Sequence, residues 1–263
     1  VISALVAFRE TGDGHRTRLW DFVRARLAHE MPEVEIVVGT DDGEDPFNKC
    51  LALNRAAARA TGDIFYILDA DTLVPAAQVR EAAALLAAGG WSRPWRRKVK
   101  LAEGPTAAII AQDPVEWDGT WDTTVRPERV NAFWSAPPLM VTREMFDEAG
   151  GMDERYRGWG GEDSAFARTL WQLGHGLAKR AVGDCMHLWH PRLGTYGADR
   201  WPGQDQAFPN SALDKQYSQA RSPRAMRELI AARMGEGHGR QDVEVPQQVA
   251  QDQGPSAAPV AAV

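Results

Sequence analysis

Apolar and polar positions at the start of the chain fall alternately into short runs and helical stripes. Ile2 to Phe8 is an apolar run closed by polar and Gly-rich residues up to Gly14, which predicts a buried strand. From Arg16 to His29 the apolar residues Leu19, Phe22, Val23 and Leu27 recur at helical spacing ahead of Pro32, predicting a helix. Glu35 to Val38 predicts a second strand, followed by a polar loop from Gly39 to Asp45. Pro46, tolerated in a first helical turn, opens a predicted helix to Ala60, and Gly62 separates it from a third strand, Ile64 to Leu68. Strand, helix, strand, helix, strand in so short a stretch calls for parallel pairing in a Rossmann-like sheet. Such sheets bind ligands outside the carboxyl ends of their strands.

Further along, Ala76 to Ala88 reads as a helix broken by Gly89-Gly90, and Thr106 to Ala111 as a short strand. Gln112 to Val130, with Trp117 and Trp121, lacks periodicity and predicts a surface loop. Leu139 to Val141 reads as a strand and Glu144 to Ala149 as a short helix stopped by Gly150-Gly151. Glu162 to Leu173 predicts a helix with Ala165, Phe166, Leu170 and Leu173 inward, and Cys185 to Trp189 a last strand. Arg192 to Gln216 is polar and rich in Gly and Pro, and Pro223 to Met234 predicts a helix packing back. The expected fold class is α/β, a mixed and mainly parallel sheet flanked by helices.

Composition narrows this picture. No apolar run approaches the roughly 18–20 residues of a membrane span, and no basic segment followed by an apolar one reads as a signal peptide. The chain begins at Val1, so residues upstream are not accounted for. A net charge of −6 argues against a general nucleic-acid binder. Two cysteines, Cys50 and Cys185, neither in a CxxC pair, read as buried thiols of a cytoplasmic protein. Residues 235–263 contain no Leu, Ile, Phe, Tyr, Trp, Met or Cys, too little apolar surface to offset the entropy of ordering. The expected organisation is one folded unit over residues 1–234, holding all ten tryptophans, and a disordered tail over 235–263.

Four constellations can carry chemistry. Asp69-Ala-Asp71 directly follows the third strand, where carboxylates at i and i+2 can turn into one crevice and hold a hard divalent cation. They can equally cap the strand end. Gly158-Trp-Gly-Gly-Glu-Asp163 stands at the mouth of a helix. Its glycines permit positive φ and close approach of a ligand, Trp159 offers a face for a sugar ring, and Glu162 and Asp163 are either functional or helix caps. His187-Leu-Trp-His190 carries two imidazoles three residues apart, which with Asp69 and Asp71 make a mixed carboxylate–imidazole set suited to Mn2+; buried structural histidines are the alternative. Phe8-Arg9-Glu10 and Asp41-Asp42 follow the first two strands, at the edge where a nucleotide base and ribose would lie. No GxGxxG follows the first strand, and there is no GxxxxGK[ST] and no GxSxG. Dinucleotide oxidoreductases, P-loop NTPases and α/β hydrolases are thereby set aside.

Together these segments resemble glycosyltransferases of the GT-A type, and the β-1,4-galactosyltransferase family in particular. Phe47-Asn-Lys49 with Leu53-Asn54 is similar to that family's FNR…LN stretch, Asp69-Ala-Asp71 to its DxD, and Gly158 to Asp163 to its GWGGED, in the same order. The likeness spans about Ile2 to Arg192. Phe146 to Asp153 also resembles polypeptide N-acetylgalactosaminyltransferases and chondroitin-type polymerases.

The resemblance implies a metal-dependent transfer of a sugar from a nucleotide-sugar, by family default a UDP-sugar, to a hydroxyl of a protein or glycan. Asp71 would bind Mn2+ (or Mg2+), with Asp69 beside it at the metal or the donor ribose. Cys185 to His190 resembles the segment whose Met and His complete the family's metal site; here the Met position is His187, so His187 and His190 are both candidate ligands. Phe8, Arg9, Phe47 and Lys49 would hold the nucleotide, with Glu10 and Asp41 on the same edge and Lys49 where the family has Arg. Asp163 would be the general base, with Glu162 and Trp159 orienting a sugar. The expected displacement is inverting, and Arg192 to Gln216 a lid over the donor. Competing expectations are a catalytically silent carbohydrate-binding protein on the same scaffold and a sugar nucleotidyltransferase.

Overall fold

The computed structural model describes residues 1–10, 12, 14–43, 46–120, 129–131, 137–158, 160–174, 179–191 and 210–236. In chain order the elements are β1 (Ile2–Ala7), α1 (His15–Glu30), β2 (Glu35–Gly39), α2 (Lys49–Arg59), β3 (Ile64–Leu68), β4 (Thr72–Leu73) and α3 (Ala76–Ala84). Then come β5 (Trp91–Arg93), β6 (Arg97–Lys100), α4 (Glu103–Ile110), β7 (Arg129–Asn131), β8 (Leu139–Thr142), α5 (Arg143–Glu148) and α6 (Glu162–Leu173). The last four are β9 (Lys179–Arg180), β10 (Asp184–His187), α7 (Ser211–Gln219) and α8 (Pro223–Glu236).

The main sheet has the order β2-β1-β3-β8-β5-β9. β1 pairs in parallel with β2 and with β3, as the alternation of elements requires, whereas β8 runs antiparallel to both β3 and β5. The sheet is therefore mixed. The central strands β1, β3 and β8 bury both faces: Leu5, Phe65, Ile67, Leu139 and Val141 point to one side, and Ala4, Val6, Tyr66, Leu68 and Met140 to the other. This is the period-two alternation of a sheet covered by helices on both sides. α2, α5, α6 and α8 supply the first cover through Leu53, Phe146, Phe166, Leu170 and Met226. α1, α3 and α4 supply the second through Leu19, Phe22, Val23, Val79 and Ile109.

A smaller sheet, β4-β10-β6-β7, sits at the carboxyl end of β3. β10 runs antiparallel to β4, with His187 opposite Thr72, and parallel to β6. This pairing brings the end of β10 back against the acids that follow β3.

Several expectations need correction. Residues 106–111 are not a strand: α4 covers Glu103–Ile110, with Thr106 and Ile109 inward at helical spacing. A short Ala/Ile run has no decisive period, and Pro105 in the first turn favours the helix. Arg192 to Gln216 is not wholly loop, because α7 begins at Ser211; residues 192–209 lie outside the described residues. α8 runs to Glu236, past the expected start of the tail, whose residues 237–263 lie outside the described residues. No helix among the described residues is long and apolar enough to cross a membrane. Cys50 and Cys185 are free and buried, and burial pushes the Cys185 thiol up to about 12, which leaves it inert.

Candidate active site

The carboxyl end of β3 and the N-termini of α1, α2 and α6 converge on one group of charged side chains. Asp71, His187 and His190 form its first part. One ligand atom from each lies within 4.8 Å of the others, a spacing that one cation can span. His187 Nε2 is 3.5 Å from Asp71 Oδ1, and His190 Nε2 is 3.3 Å from Asp71 Oδ2. The main chain sets this arrangement, since the Leu188 N–H donates to the Asp71 carbonyl at 2.8 Å. Trp189 is held in turn by its N–H donating to Thr106 Oγ1 of α4 at 2.8 Å. Burial pushes His187 down to about 4 and lowers His190, against the pull of Asp71 in both cases. Both imidazoles are therefore neutral at pH 7, the form that ligates metal. One carboxylate with two neutral imidazoles suits a first-row ion such as Mn2+ better than Mg2+, which favours all-oxygen shells.

Asp69 is not part of this cluster. Its Oδ1 lies 3.0 Å from Lys49 Nζ and its Oδ2 3.0 Å from Lys98 Nζ. Burial would raise its pKa, but the two lysines hold it well below the carboxylate range. Lys49, the first residue of α2, also lies 2.9 Å from Asp163 Oδ1. The N-termini of α2 and α6 thus meet through an Asp69–Lys49–Asp163 line. Burial lowers the Lys49 pKa, yet Asp163, Asp69 and Glu162 hold it well above the lysine value. Asp163 is raised by burial, with Lys49 opposing. Glu162 is pushed up to about 7 by burial and by Asp163, and its Oε2 accepts from the Gly160 N–H at 2.9 Å.

Asp41, 8% exposed after β2, organises a third part of the crevice. It accepts from the Asn48 N–H at 3.0 Å and pairs with Arg9 Nη1 at 3.3 Å, while the Arg9 guanidinium lies over the Phe47 ring at 5.3 Å. The expected nucleotide residues Arg9, Asp41 and Phe47 are thereby brought together, while the Lys49 side chain turns to Asp69 and Asp163. Phe8 instead tilts against Trp20, with ring centroids 6.2 Å apart, and Glu10 is exposed. Trp159 lies outside the described residues, as do Trp121 and Trp134. Trp117 is core: it packs on Phe22 at 5.6 Å and its Nε1 donates to the Thr120 carbonyl.

Two cations of the site were missed in the sequence. Lys98 is 4% exposed within β6, and its Nζ also donates to the Pro137 carbonyl at 2.9 Å. A lysine inside a short strand beside Val99 was its only signal. Arg16, in the first turn of α1, places Nη2 3.2 Å from His190 Nδ1 and 3.3 Å from Nε2, and its Nε is buried with no hydrogen-bond partner. On a helix wheel it reads as an ordinary solvated residue.

Residues 129–191 match the family model described as the N-terminal domain of galactosyltransferase. That segment carries Glu162, Asp163, His187 and His190, and the model it matches is one of glycosyltransferases. Among solved structures, the chain is similar to the catalytic domain of Drosophila β1,4-galactosyltransferase 7 in complex with xylobiose, at 17% identity and a TM-score of 0.45. The likeness covers 85% of this chain and 82% of that one. It is also similar to the mannosyltransferase PcManGT of Pyrobaculum calidifontis in complex with GDP-Man and Mn2+, at 16% identity and a TM-score of 0.43, over 92% of this chain and 76% of that one. No curated protein sequence matches the chain.

Proposed function

We propose that the chain transfers a sugar from a nucleotide-sugar, a UDP-sugar in the first instance, to an acceptor hydroxyl on a protein or glycan, with a divalent metal and with inversion. The observation that carries this reading is the adjacency of two devices: the Asp71, His187 and His190 cluster, and the Asp69–Lys49–Asp163 line beside it. Asp71 and the two neutral imidazoles would hold Mn2+. When bound, the ion supplies positive charge against the charge that develops on a nucleoside diphosphate leaving group.

The chain's own residues do the rest. Arg9, Asp41 and Phe47 form a rigid edge for the nucleotide, the guanidinium and the ring already stacked on one another. Asp163 takes the proton of the acceptor hydroxyl, a role that needs a carboxylate within hydrogen-bond reach. Lys49 opposes the rise that burial imposes on the Asp163 pKa and holds the carboxylate in line with Asp69. A single base on the face of the sugar opposite the leaving group would give direct displacement with inversion, by the geometry that governs inverting glycosidases. The chain through the end of α8 at Glu236 is taken as the catalytic unit and the remainder as an appended tail.

The test is a panel of nucleotide-sugars incubated with and without Mn2+, read first by thermal stabilisation and then by transfer. Asp71→Ala is expected to abolish metal-dependent transfer. Asp163→Asn is expected to cut kcat about 10²–10⁴-fold with donor affinity nearly unchanged. Full activity in EDTA ends the metal assignment, near-normal turnover of Asp163→Asn moves the base elsewhere, and a product anomer identical to the donor's ends inversion.

A further inference from the structure

Asn210 is the residue before α7 and only 3% exposed. An asparagine at a helix N-cap usually accepts from the backbone of the first turn. Here it makes no side-chain cap bond to α7. Its amide is spent instead on the main chain of the loop that leads into α6. Oδ1 accepts from the Arg157 N–H at 3.2 Å, and Nδ2 donates to the Arg157 carbonyl at 3.1 Å and to the Gly160 carbonyl at 2.8 Å.

The loop needs such an external hold. Gly158, Gly160 and Gly161 adopt φ of 67°, 105° and 92°, a region favourable only to glycine, and three glycines leave the backbone with wide freedom when unrestrained. One turn into α7, Asp214 Oδ1 accepts from the Tyr156 hydroxyl at 3.0 Å, and a Cβ on Gly161 would stand 2.5 Å from that oxygen. The start of α7 therefore presses on the loop from Tyr156 to Gly161, directly ahead of Glu162 and Asp163.

We propose that Asn210 is a positioning residue for transfer: its three hydrogen bonds to the backbone of Arg157 and Gly160 set the orientation in which α6 presents Asp163 to Lys49 and to the acceptor hydroxyl. This rests on the glycosyltransferase reading above. None of these bonds reaches Asp71, His187 or His190, so the residue acts on the acid side of the site and not on the metal side.

Asn210→Ala is expected to lower kcat about 10- to 100-fold, the scale of a small misplacement of a reacting group. Donor KM and Mn2+ affinity should stay within about threefold. Because Asn210 acts through Asp163, the same change in an Asp163→Asn background should cost less than about twofold more. Hydrogen exchange of amides 157–163 should quicken in Asn210→Ala while that of α2 does not. Should the alanine variant not fold, Asn210→Asp keeps the acceptor for Arg157 but loses both donated bonds, and it should show the same kcat-only loss. A kcat within twofold of wild type, a full multiplicative loss in the double variant, or unchanged exchange over 157–163 overturns the proposal. Absence of transfer by the wild type with every donor overturns the functional reading, and the role in transfer falls with it; the exchange experiment then still reads the hold on the loop.

Discussion

Lys49 stands between Asp69 and Asp163, and its single charge serves both. Burial drives the Asp163 pKa up while Lys49 draws it down, so the lysine sets how far into acid this carboxylate, the proposed base, stays ionised. Lys49→Met removes that charge, and Asp163 then retains its proton to higher pH. The acid limb of kcat/KM is expected to move upward, with Lys49→Arg largely restoring it; a limb that does not move in Lys49→Met excludes Asp163 as the titrating base. At this scale the acids were legible, because Asp69, Asp71, Glu162 and Asp163 sit in short motifs at a strand end and a helix start. Their partners were not. Lys98 reaches Asp69 from another sheet, Arg16 reaches His190 across the fold, and neither shares a local pattern with its target.

At the scale of elements, the close approach of β2 and α2 depends on Gly39. A Cβ there would stand 1.8 Å from the Ala52 carbonyl oxygen, backbone that cannot rotate away. Gly39→Ala is expected to destabilise by about 1–3 kcal/mol through overpacking, read as a lower urea midpoint. The same displacement moves Asp41 and Lys49, which flank the β2–α2 loop, so donor affinity should fall as well. An unchanged midpoint would mean that α2 is less tightly seated than its geometry states. β3 and α6 coincide with the expected residue ranges because a continuous apolar run and a helical stripe are both strong signals. β4, β5, β9 and α4 were missed or misread, since elements of two or three residues and Ala-rich runs carry almost no period.

For the whole molecule, Glu162 ties stability to pH. Its folded value of about 7 lies above its ordinary 4.5, with burial and then Asp163 as the causes. Between those values the folded chain keeps a proton that the unfolded chain releases, so this group's contribution is lost as pH rises from about 4.5 to about 7. Glu162→Gln should therefore lose less stability than wild type between about pH 5 and pH 8, a difference on the order of 2 kcal/mol. Parallel pH profiles of the melting temperature would refute this. Glu162 is 7% exposed and its carboxylate accepts from the Gly160 N–H, within the loop that Asn210 also holds. The stability of the fold and the placement of the acids are thus exchanged at one spot.

By itself the sequence determined the α/β class, the parallel start of the sheet and the motifs that carry the acids and imidazoles. Those follow from periodicity and from neighbours a few residues apart, information that is local to each segment. Only the tertiary structure decided which carboxylate meets which partner. Asp69 and Asp71 are two residues apart, yet one is taken by two lysines and the other by two histidines. β10 folding back along β4 delivers the imidazoles to Asp71, and the meeting of α2 with α6 delivers Lys49 to Asp163. Such contacts join residues far apart in the chain, and only the packing of sheet and helices sets their distance.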